Sequence, residues 1–195
     1  DRLNHLTNRL SNLDMMVSDQ DLITQFQTNK QREFSFTQLV SRHQHKLYYQ
    51  IKRMVQEHAD TDDITQIVWM KVWDKLDGFK MESEFSTWLF RIGYNETINY
   101  INKQKKTSRL SNLDLSEENS ITAISTNDPK PSQIQIKLDT AIKQLPEKQR
   151  FVFMLRYYEE MNYEKIANIT GTTIGGAKAN YHQAIKKLQE IVSKD

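Results

Sequence analysis

Apolar residues recur every three or four positions through most of this chain, which predicts a series of amphipathic helices. Ser18 followed by Asp21 has the form of a capping box and opens the first of them, a helix with Leu22, Ile23 and Phe26 on its apolar side. Three longer stretches with the same periodicity follow, over about residues 34–55, 60–76 and 83–106.

A break in this periodicity divides the chain. Residues 107–132 are rich in Ser, Thr, Asn and Asp and end near two prolines, which predicts an extended linker. Only five glycines and three prolines occur in 195 residues, which favours helices on both sides of the linker. We therefore predict an all-α protein with two helical domains. Its parts are a leader of unknown role (1–15), an N-terminal helical bundle (16–106), the linker (107–132) and a C-terminal helix-turn-helix domain (133–195).

The second domain has the layout of a helix-turn-helix. Ala167 is a small residue where two helices must cross, Gly171 suits a tight turn, and Ile174 is expected to pack the second helix onto the first. A longer helix held in this way can enter a duplex major groove, which is about 12 Å wide. Helices are predicted before Leu145 and at roughly 147–160, 163–170 and 174–192.

The fourth predicted helix has a polar face beside a loop, residues 80–84, and Trp88. Arginine and lysine hold phosphates, asparagine can bind base edges, and an aromatic ring beside a loop can receive an unstacked base. On these residues alone, a core tryptophan and an ordinary solvated helix face are the favoured explanation. The polar face comprises Arg91, Asn95, Asn99, Asn102, Lys103 and Lys106.

Composition excludes several classes of protein. The net charge is only +2, so a nucleic-acid surface must be a local patch. The chain has no cysteine, which excludes disulfides and thiolate metal sites, and its apolar runs are too short to cross a bilayer. His43 and His45 point in different directions on a helix, and no catalytic motif occurs. We expect a cytoplasmic, non-enzymatic protein without metal or cofactor.

Two sets of segments resemble conserved regions of bacterial sigma factors, in the extracytoplasmic-function (ECF) group of the sigma-70 family. The residues that resemble the family's second conserved region are Asp62-Asp-Ile-Thr-Gln-Ile-Val-Trp-Met-Lys-Val-Trp73, then Phe79, then Phe85-Ser-Thr-Trp-Leu-Phe-Arg-Ile92. The residues that resemble the fourth conserved region are Leu145-Pro-Glu-Lys-Gln-Arg150 and Tyr163-Glu-Lys-Ile-Ala167. The likeness covers about residues 18–106 and 136–192, in the family's order and with a linker between them.

The resemblance implies a division of roles in the first domain. Asp63 and Gln66, with Trp69 and Trp73 on the same helix, are expected to bind the clamp helices of RNA polymerase. The loop 80–84 is expected to capture a flipped base of the −10 element. The residues expected to contact −10 DNA are Lys80, Ser83, Glu84, Trp88, Arg91, Asn95, Asn99 and Lys103.

The resemblance also implies that the last helix reads the −35 element. Several arginines that are usual in the family at this helix are absent, and Gly176 costs up to about 1 kcal/mol of helix propensity. Fewer cations imply a shallower salt dependence of duplex binding, because each phosphate contact contributes about 0.9 to the slope. The candidate −35 contacts are Thr173, Lys178, Asn180, His182, Gln183 and Lys186.

The expected partners are core RNA polymerase, through its clamp helices and flap, and promoter DNA in duplex and single-stranded form. An anti-sigma factor is a further candidate partner. One alternative is a helix-turn-helix transcription regulator that acts without stable polymerase association. A more distant one is a DNA-processing enzyme such as a recombinase, but the nucleophile and clustered cations that it requires are not apparent in the sequence.

Overall fold

A computed structural model describes residues 17–55, 57–111 and 133–193. The predicted all-α architecture is confirmed, with one helical domain on each side of the break. The linker interior, the leader and the C-terminal two residues lie outside the described residues. The helices are α1 (Asp19–Gln27), α2 (Arg32–Val55), α3 (His58–Lys75), a 3-10 turn (Leu76–Gly78), α4 (Phe85–Ser111), α5 (Gln133–Lys143), α6 (Glu147–Tyr157), α7 (Tyr163–Thr170) and α8 (Ile174–Val192).

Several helix boundaries differ from the sequence-based ones by two residues or more, and three of them lie in polar stretches. Helix α4 continues to Ser111, so the first residues of the predicted linker are helical. Helix α3 begins at His58 after Glu57, whose side chain makes no capping hydrogen bond. Helix α6 ends at Tyr157, before residue 160. At these three places no apolar periodicity marks the end of a helix.

The predicted capping box at the start of α1 is present. The Ser18 hydroxyl accepts a hydrogen bond from the Asp21 amide, and the Ser18 amide donates to the Asp21 carboxylate, both at 3.1 Å. This reciprocal pair satisfies two of the free amides at the helix start. Helix α1 then buries Leu22, Ile23 and Phe26 completely.

Aromatic rings join α1, α2 and α3. The Trp73 ring meets Phe26 and Phe36 edge-on, with centroids 5.0 Å apart in both pairs. Trp69 meets Phe36 in the same way at 5.9 Å. Such edge-to-face pairs add about 0.5–1.5 kcal/mol each beyond the burial of their area. We call these four residues the aromatic wall. Their contacts set the rotation of α3 about its own axis relative to α1 and α2.

The helix-turn-helix is formed as predicted, except at one residue. Asn162 caps α7, Gly171 has a φ of 64° in the left-handed region, and Thr173 caps α8 through the Gly176 amide. Ile174, expected to pack α8 onto α7, is 43 % exposed. The close contact is made one turn later by the fully buried Ala177, because Ile174 lies in the first turn and points outward.

The two domains are docked against each other. The rings of Tyr94 on α4 and Phe151 on α6 lie 4.4 Å apart, and both residues are buried. Arg150 donates to the carbonyl of Met54 in the last turn of α2 at 3.1 Å. The second domain therefore covers one side of α4.

A carboxylate beside the start of α1 generates a test of first-domain stability. Asp19 accepts hydrogen bonds from His43 at 2.7 Å and from Arg42 at 3.0 Å. The His43 hydrogen bond, with a smaller contribution from Arg42, holds the pKa of Asp19 below its ordinary 3.8, although partial burial opposes this. The stabilisation is therefore complete above the ordinary pKa and is lost as the pH falls through the lowered value.

We expect Asp19→Asn to lower the free energy of unfolding by about 1–2 kcal/mol at neutral pH, because two charge-assisted hydrogen bonds weaken. Urea unfolding of both proteins at pH 7 and near pH 3 checks this, and the difference should shrink at the lower pH. Asp74→Asn, at an exposed position on α3, is the matched control. A difference that stays constant with pH would contradict the role assigned to the carboxylate.

Candidate nucleic-acid interface

The polar face of α4 is exposed along its length. Arg91, Asn95 and Asn99 follow one another at steps of four, and their side chains have no hydrogen-bond or ion-pair partner among the described residues. Opposite them, Leu89 and Thr97 are buried. The unpaired donors and acceptors are therefore available to a ligand. We call this surface the polar ridge; Asn102, Lys103 and Lys106 extend it toward the end of the helix and are exposed.

Trp88 lies at the start of the polar ridge and is half-buried. Its ring packs on Phe79 with centroids 4.7 Å apart and on Phe85 at 6.0 Å. Part of the indole is thus a core contact, as the simpler explanation from the sequence requires. The remaining part is accessible beside the loop, so the residue is both a support and a surface for stacking.

The loop before α4 forms one wall of a small cavity. Met81 holds the loop in a left-handed backbone conformation, with φ of 57°. The cavity has a volume of about 260 Å³. It is smaller than most pockets for whole drug-sized molecules, which begin near 300 Å³, and is suited to one small planar group. Its lining includes Ser83 and Glu84 from the loop and Ser18, Asp19 and Gln20 from the start of α1.

The outward face of α3 carries both polar and apolar side chains. Asp63 and Gln66 are exposed, as expected. On the same face, Ile67 is 43 % and Met70 62 % exposed, and neither was predicted from the sequence. A mixed surface of this kind on one helix is typical of a protein–protein contact.

Trp69 and Trp73 lie at the edge of this outward face. Both belong to the aromatic wall and are half-buried, because one side of each ring packs against the core beside the buried Val68 and Val72. Trp69 lines a cavity of about 540 Å³ between α2 and α3, next to Gln66. Its indole nitrogen is buried without a partner among the described residues. The role of the two half-buried tryptophans as docking contacts stays a prediction.

Helix α8 presents a narrower basic stripe than expected. Lys178, His182 and Lys186 follow at steps of four and are exposed. Gln183 is exposed too, and its side-chain oxygen accepts from the Gln149 amide at 2.7 Å. Thr173 uses its hydroxyl oxygen as the helix cap.

Asn180 is not part of the stripe. Its side-chain amide donates to the Gly176 carbonyl at 2.9 Å, and the residue is partly buried. A residue two positions before His182 lies about 200° around the helix, on the side that packs on the domain. The role of Asn180 as a base contact therefore stays a prediction, with one hydrogen of its amide already bonded within the helix.

The start of α1 is a second part of the site that the sequence did not indicate. The capping box predicted a helix start at Ser18, but no local pattern places that start beside a loop sixty residues later in the chain. The Gln27 side-chain amide explains the approach, because it donates to the carbonyls of Leu76 and Phe79, at 2.9 Å each. These bonds tie the end of α1 to the segment that leads into the loop.

Among the residues that the structure describes, no group of three or more His, Cys, Asp or Glu side chains has an arrangement that would hold a metal ion. In the same ranges, every helix is too short or too polar to cross a membrane.

Comparison with known families matches both domains. Residues 39–107 match sigma-70 region 2, and residues 135–188 match sigma-70 region 4. Together these segments cover most of the chain. The first segment contains the polar ridge, and the second contains most of the helix-turn-helix.

Individual relatives match nearly the whole chain. The ECF RNA polymerase sigma-E factor of Escherichia coli K12 is 30 % identical over 184 residues, covering 90 % of this chain and 95 % of that protein. The ECF RNA polymerase sigma factor SigW of Bacillus subtilis is 28 % identical over 173 residues, covering 84 % of this chain and 92 % of that protein.

A solved structure shows the same fold. The sigma factor RpoE of Bartonella quintana, crystallised with the anti-sigma factor NepR, superposes with a TM-score of 0.69 at 28 % identity. The match covers 82 % of this chain and 98 % of that one. Both regions and their order agree with these relatives, and the chain belongs to the ECF group of the sigma-70 family of RNA polymerase sigma factors.

Proposed function

We propose that this sigma factor binds core RNA polymerase through the outward face of α3, directs it to promoters and helps to open the −10 element. The polar ridge and the loop cavity take the non-template −10 strand, and α8 contacts the −35 duplex. The flap of the polymerase contacts the second domain. The observation that carries the proposal is the ridge: its unpaired Arg91, Asn95 and Asn99 run directly up to Trp88 and the loop.

Energetics explain why a polymerase is required. Stacking in DNA averages about 1.4 kcal/mol per step, so opening some ten base pairs costs on the order of 14 kcal/mol. Stacking one flipped base on Trp88 returns only about 1–3 kcal/mol. The difference has to come from a larger DNA-binding machine. We therefore infer that the chain acts as an initiation factor in the cytoplasm, without catalytic chemistry of its own.

The upstream contact is the weaker of the two. Only Lys178, His182 and Lys186 form the exposed stripe on α8, and two of these are fixed cations. Each phosphate contact contributes about 0.9 to the slope of log affinity against log salt concentration. Two or three such contacts are few, so the affinity of α8 for duplex DNA is expected to be modest. We propose that α8 positions a complex that the first domain and polymerase hold.

The decisive experiment is transcription with purified core polymerase and this chain on a template library randomised at −10 and −35. Sequenced transcripts should start downstream of a common pair of motifs. Transcripts without any such motif, together with no co-elution with polymerase, would overturn the proposal. Tight duplex binding by the isolated protein under those conditions would instead favour an ordinary helix-turn-helix regulator.

The amides of the polar ridge generate the first prediction on function. Asn95→Ala with Asn99→Ala should lower open-complex formation by about 30-fold or more, because amide contacts to bases contribute about 1–3 kcal/mol each. Permanganate footprinting of the −10 region measures opening, and co-elution measures polymerase binding, which should not change. Asn29→Gly is the matched control, since it removes an exposed amide in the turn after α1. Equal loss of binding and opening would contradict the assignment.

Two substitutions at Trp88 distinguish a role in stacking on a DNA base from a role in packing on the core. Trp88→Phe keeps an aromatic contact with Phe79 and Phe85, whereas Trp88→Ala removes it. We expect Trp88→Ala to slow promoter opening more than it weakens polymerase binding, with Trp88→Phe intermediate in opening and close to wild type in thermal stability. If both variants impair polymerase binding as much as opening, Trp88 is a core residue only.

The outward face of α3 generates a third prediction on function, which concerns the affinity for core polymerase. Asp63→Ala with Gln66→Ala, and separately Ile67→Ser with Met70→Ser, should each raise the dissociation constant for core polymerase by about tenfold or more, as truncation of central contacts does. Phe34→Ser is the matched control, because Phe34 is 49 % exposed on α2 and points away from the aromatic wall. Fluorescence anisotropy with labelled protein measures the affinity, and unchanged values would reject this docking face.

A further inference from the structure

The first turn of α1 places an unpaired side-chain amide beside the loop cavity. Gln20 lines this cavity together with Ser83 and Glu84 of the loop. The residue is exposed, and its side chain has no hydrogen-bond partner among the described residues. The other two glutamines of α1 are engaged, because Gln25 accepts from a serine hydroxyl of α2 and Gln27 donates to backbone carbonyls. In this helix, Gln20 is therefore the glutamine that is available to a ligand.

The position of Gln20 is set by the groups on either side of it in the chain. Ser18 and Asp21 exchange the two hydrogen bonds of the capping box. Asp19 accepts from His43 of α2 at 2.7 Å. The backbone on both sides of Gln20 is thus held against the first domain, and a side chain that starts from a fixed backbone can discriminate between ligands.

The charged groups that line the cavity are hydrogen-bond acceptors. Asp19 and Glu84 are carboxylates, and an ionised carboxylate offers about four lone-pair positions and no donor. Their present partners, which are His43 and Arg42 for Asp19 and Lys165 for Glu84, occupy only part of this capacity. A planar ligand in the cavity therefore meets carboxylate oxygens, which favour an amino group on the ligand over a carbonyl.

The serine hydroxyls of the cavity do not reverse this preference. The Ser18 hydroxyl donates its hydrogen to the Asp21 carboxylate at 2.6 Å. Those of Ser83 and Ser86 donate to the backbone carbonyl and the carboxylate of Glu84, both at 3.5 Å. Each hydroxyl that lines the cavity thus already uses its one hydrogen, and the Gln20 amide is left as the free donor.

The four DNA bases differ at the edge that such a cavity would contact. Adenine and cytosine each present an amino group beside a ring nitrogen that carries no hydrogen, whereas guanine and thymine present a carbonyl beside a ring N–H. A side-chain amide can bind adenine or cytosine with both of its groups, because its oxygen accepts from the amino group and its nitrogen donates to the ring nitrogen. The amide can also turn over to pair with guanine or thymine, but their carbonyls then lie among carboxylate oxygens.

We propose that Gln20 is a specificity-determining residue of this sigma factor, whose amide reads the base held in the loop cavity and selects adenine or cytosine over guanine and thymine. The proposal rests on the function proposed above, and it adds which bases the cavity accepts and which side chain selects them. Gln20 lies outside residues 39–107, the segment that matches sigma-70 region 2. Base selection is thus shared between that region and the helix before it.

Two substitutions of Gln20 in the full chain test the proposal. Gln20→Ala removes the amide, and Gln20→Glu replaces it with a group that only accepts hydrogen bonds. Gln144→Ala is the matched control, because it removes an exposed amide just after α5, in the second domain. Each protein is assayed by transcription with core polymerase on variants of one selected promoter, in which every position of the −10 element carries each of the four bases in turn. Preferences are compared within each protein, so that a general change in DNA affinity cancels.

We expect the wild-type protein to favour adenine or cytosine by about tenfold or more at one −10 position, as amide contacts to a base do. Gln20→Ala should remove most of this preference at that position alone. Gln20→Glu should favour guanine there, because a carboxylate can accept from both N–H groups at the guanine edge. The control should keep the wild-type preferences. Preferences in Gln20→Ala that are unchanged at every position, or that change equally at several, would overturn the proposal.

A base analogue that lacks only the exocyclic amino group provides a second measurement at the same position. In the wild-type protein, the analogue should lower transcription about as much as Gln20→Ala does. In Gln20→Ala it should have little further effect, because both changes remove the same hydrogen bond. Losses that simply add would overturn the contact. Failure of the wild-type protein itself to bind polymerase and to start at specific sites would instead overturn the proposed function, and the inference with it.

Discussion

The inward rotation of α3 is the constraint on which the other surfaces depend. The aromatic wall of Phe26, Phe36, Trp69 and Trp73 holds this helix against α1 and α2 with edge-to-face ring contacts. Because one side of each tryptophan ring packs against the core, the next side chains around the helix face outward and are available to a protein partner. The same contacts keep α1 in place, so its first residues reach the loop before α4. One set of buried rings thus sets both the docking face and the cavity.

Local chemistry explains what could be predicted from the sequence. The Ser18–Asp21 capping box and Gly171 each satisfy a requirement of the backbone at one place in the chain, and both are found as expected. Helical periodicity likewise identified α7 and α8 to the residue, because apolar and capping residues bound them closely. The polar face of α4 was predicted for the same reason: its members are set by a step of three or four along one helix.

What the sequence did not show depends on contacts between distant segments. Ile67 and Met70 look like core residues by type, and only the rotation of α3 exposes them. Asn180 looks like a base contact by position, but its amide already bonds to Gly176 within the helix. Ile174 was misplaced because a helix-turn-helix pattern does not determine which residue of the first turn meets α7. Nothing in the sequence indicated that the second domain would rest on α4.

Helix α4 has to satisfy three neighbours at once, and this limits how the chain can change in length. Leu89 faces the first-domain core, Tyr94 faces the second domain, and Asn95 faces solvent, within less than two turns. Each added residue rotates everything after it by about 100°. A single insertion or deletion near position 92 would therefore move the amides off the ridge and the tyrosine ring off the interface together. Substitutions in α4 can be accepted one at a time during evolution, whereas a change of register cannot.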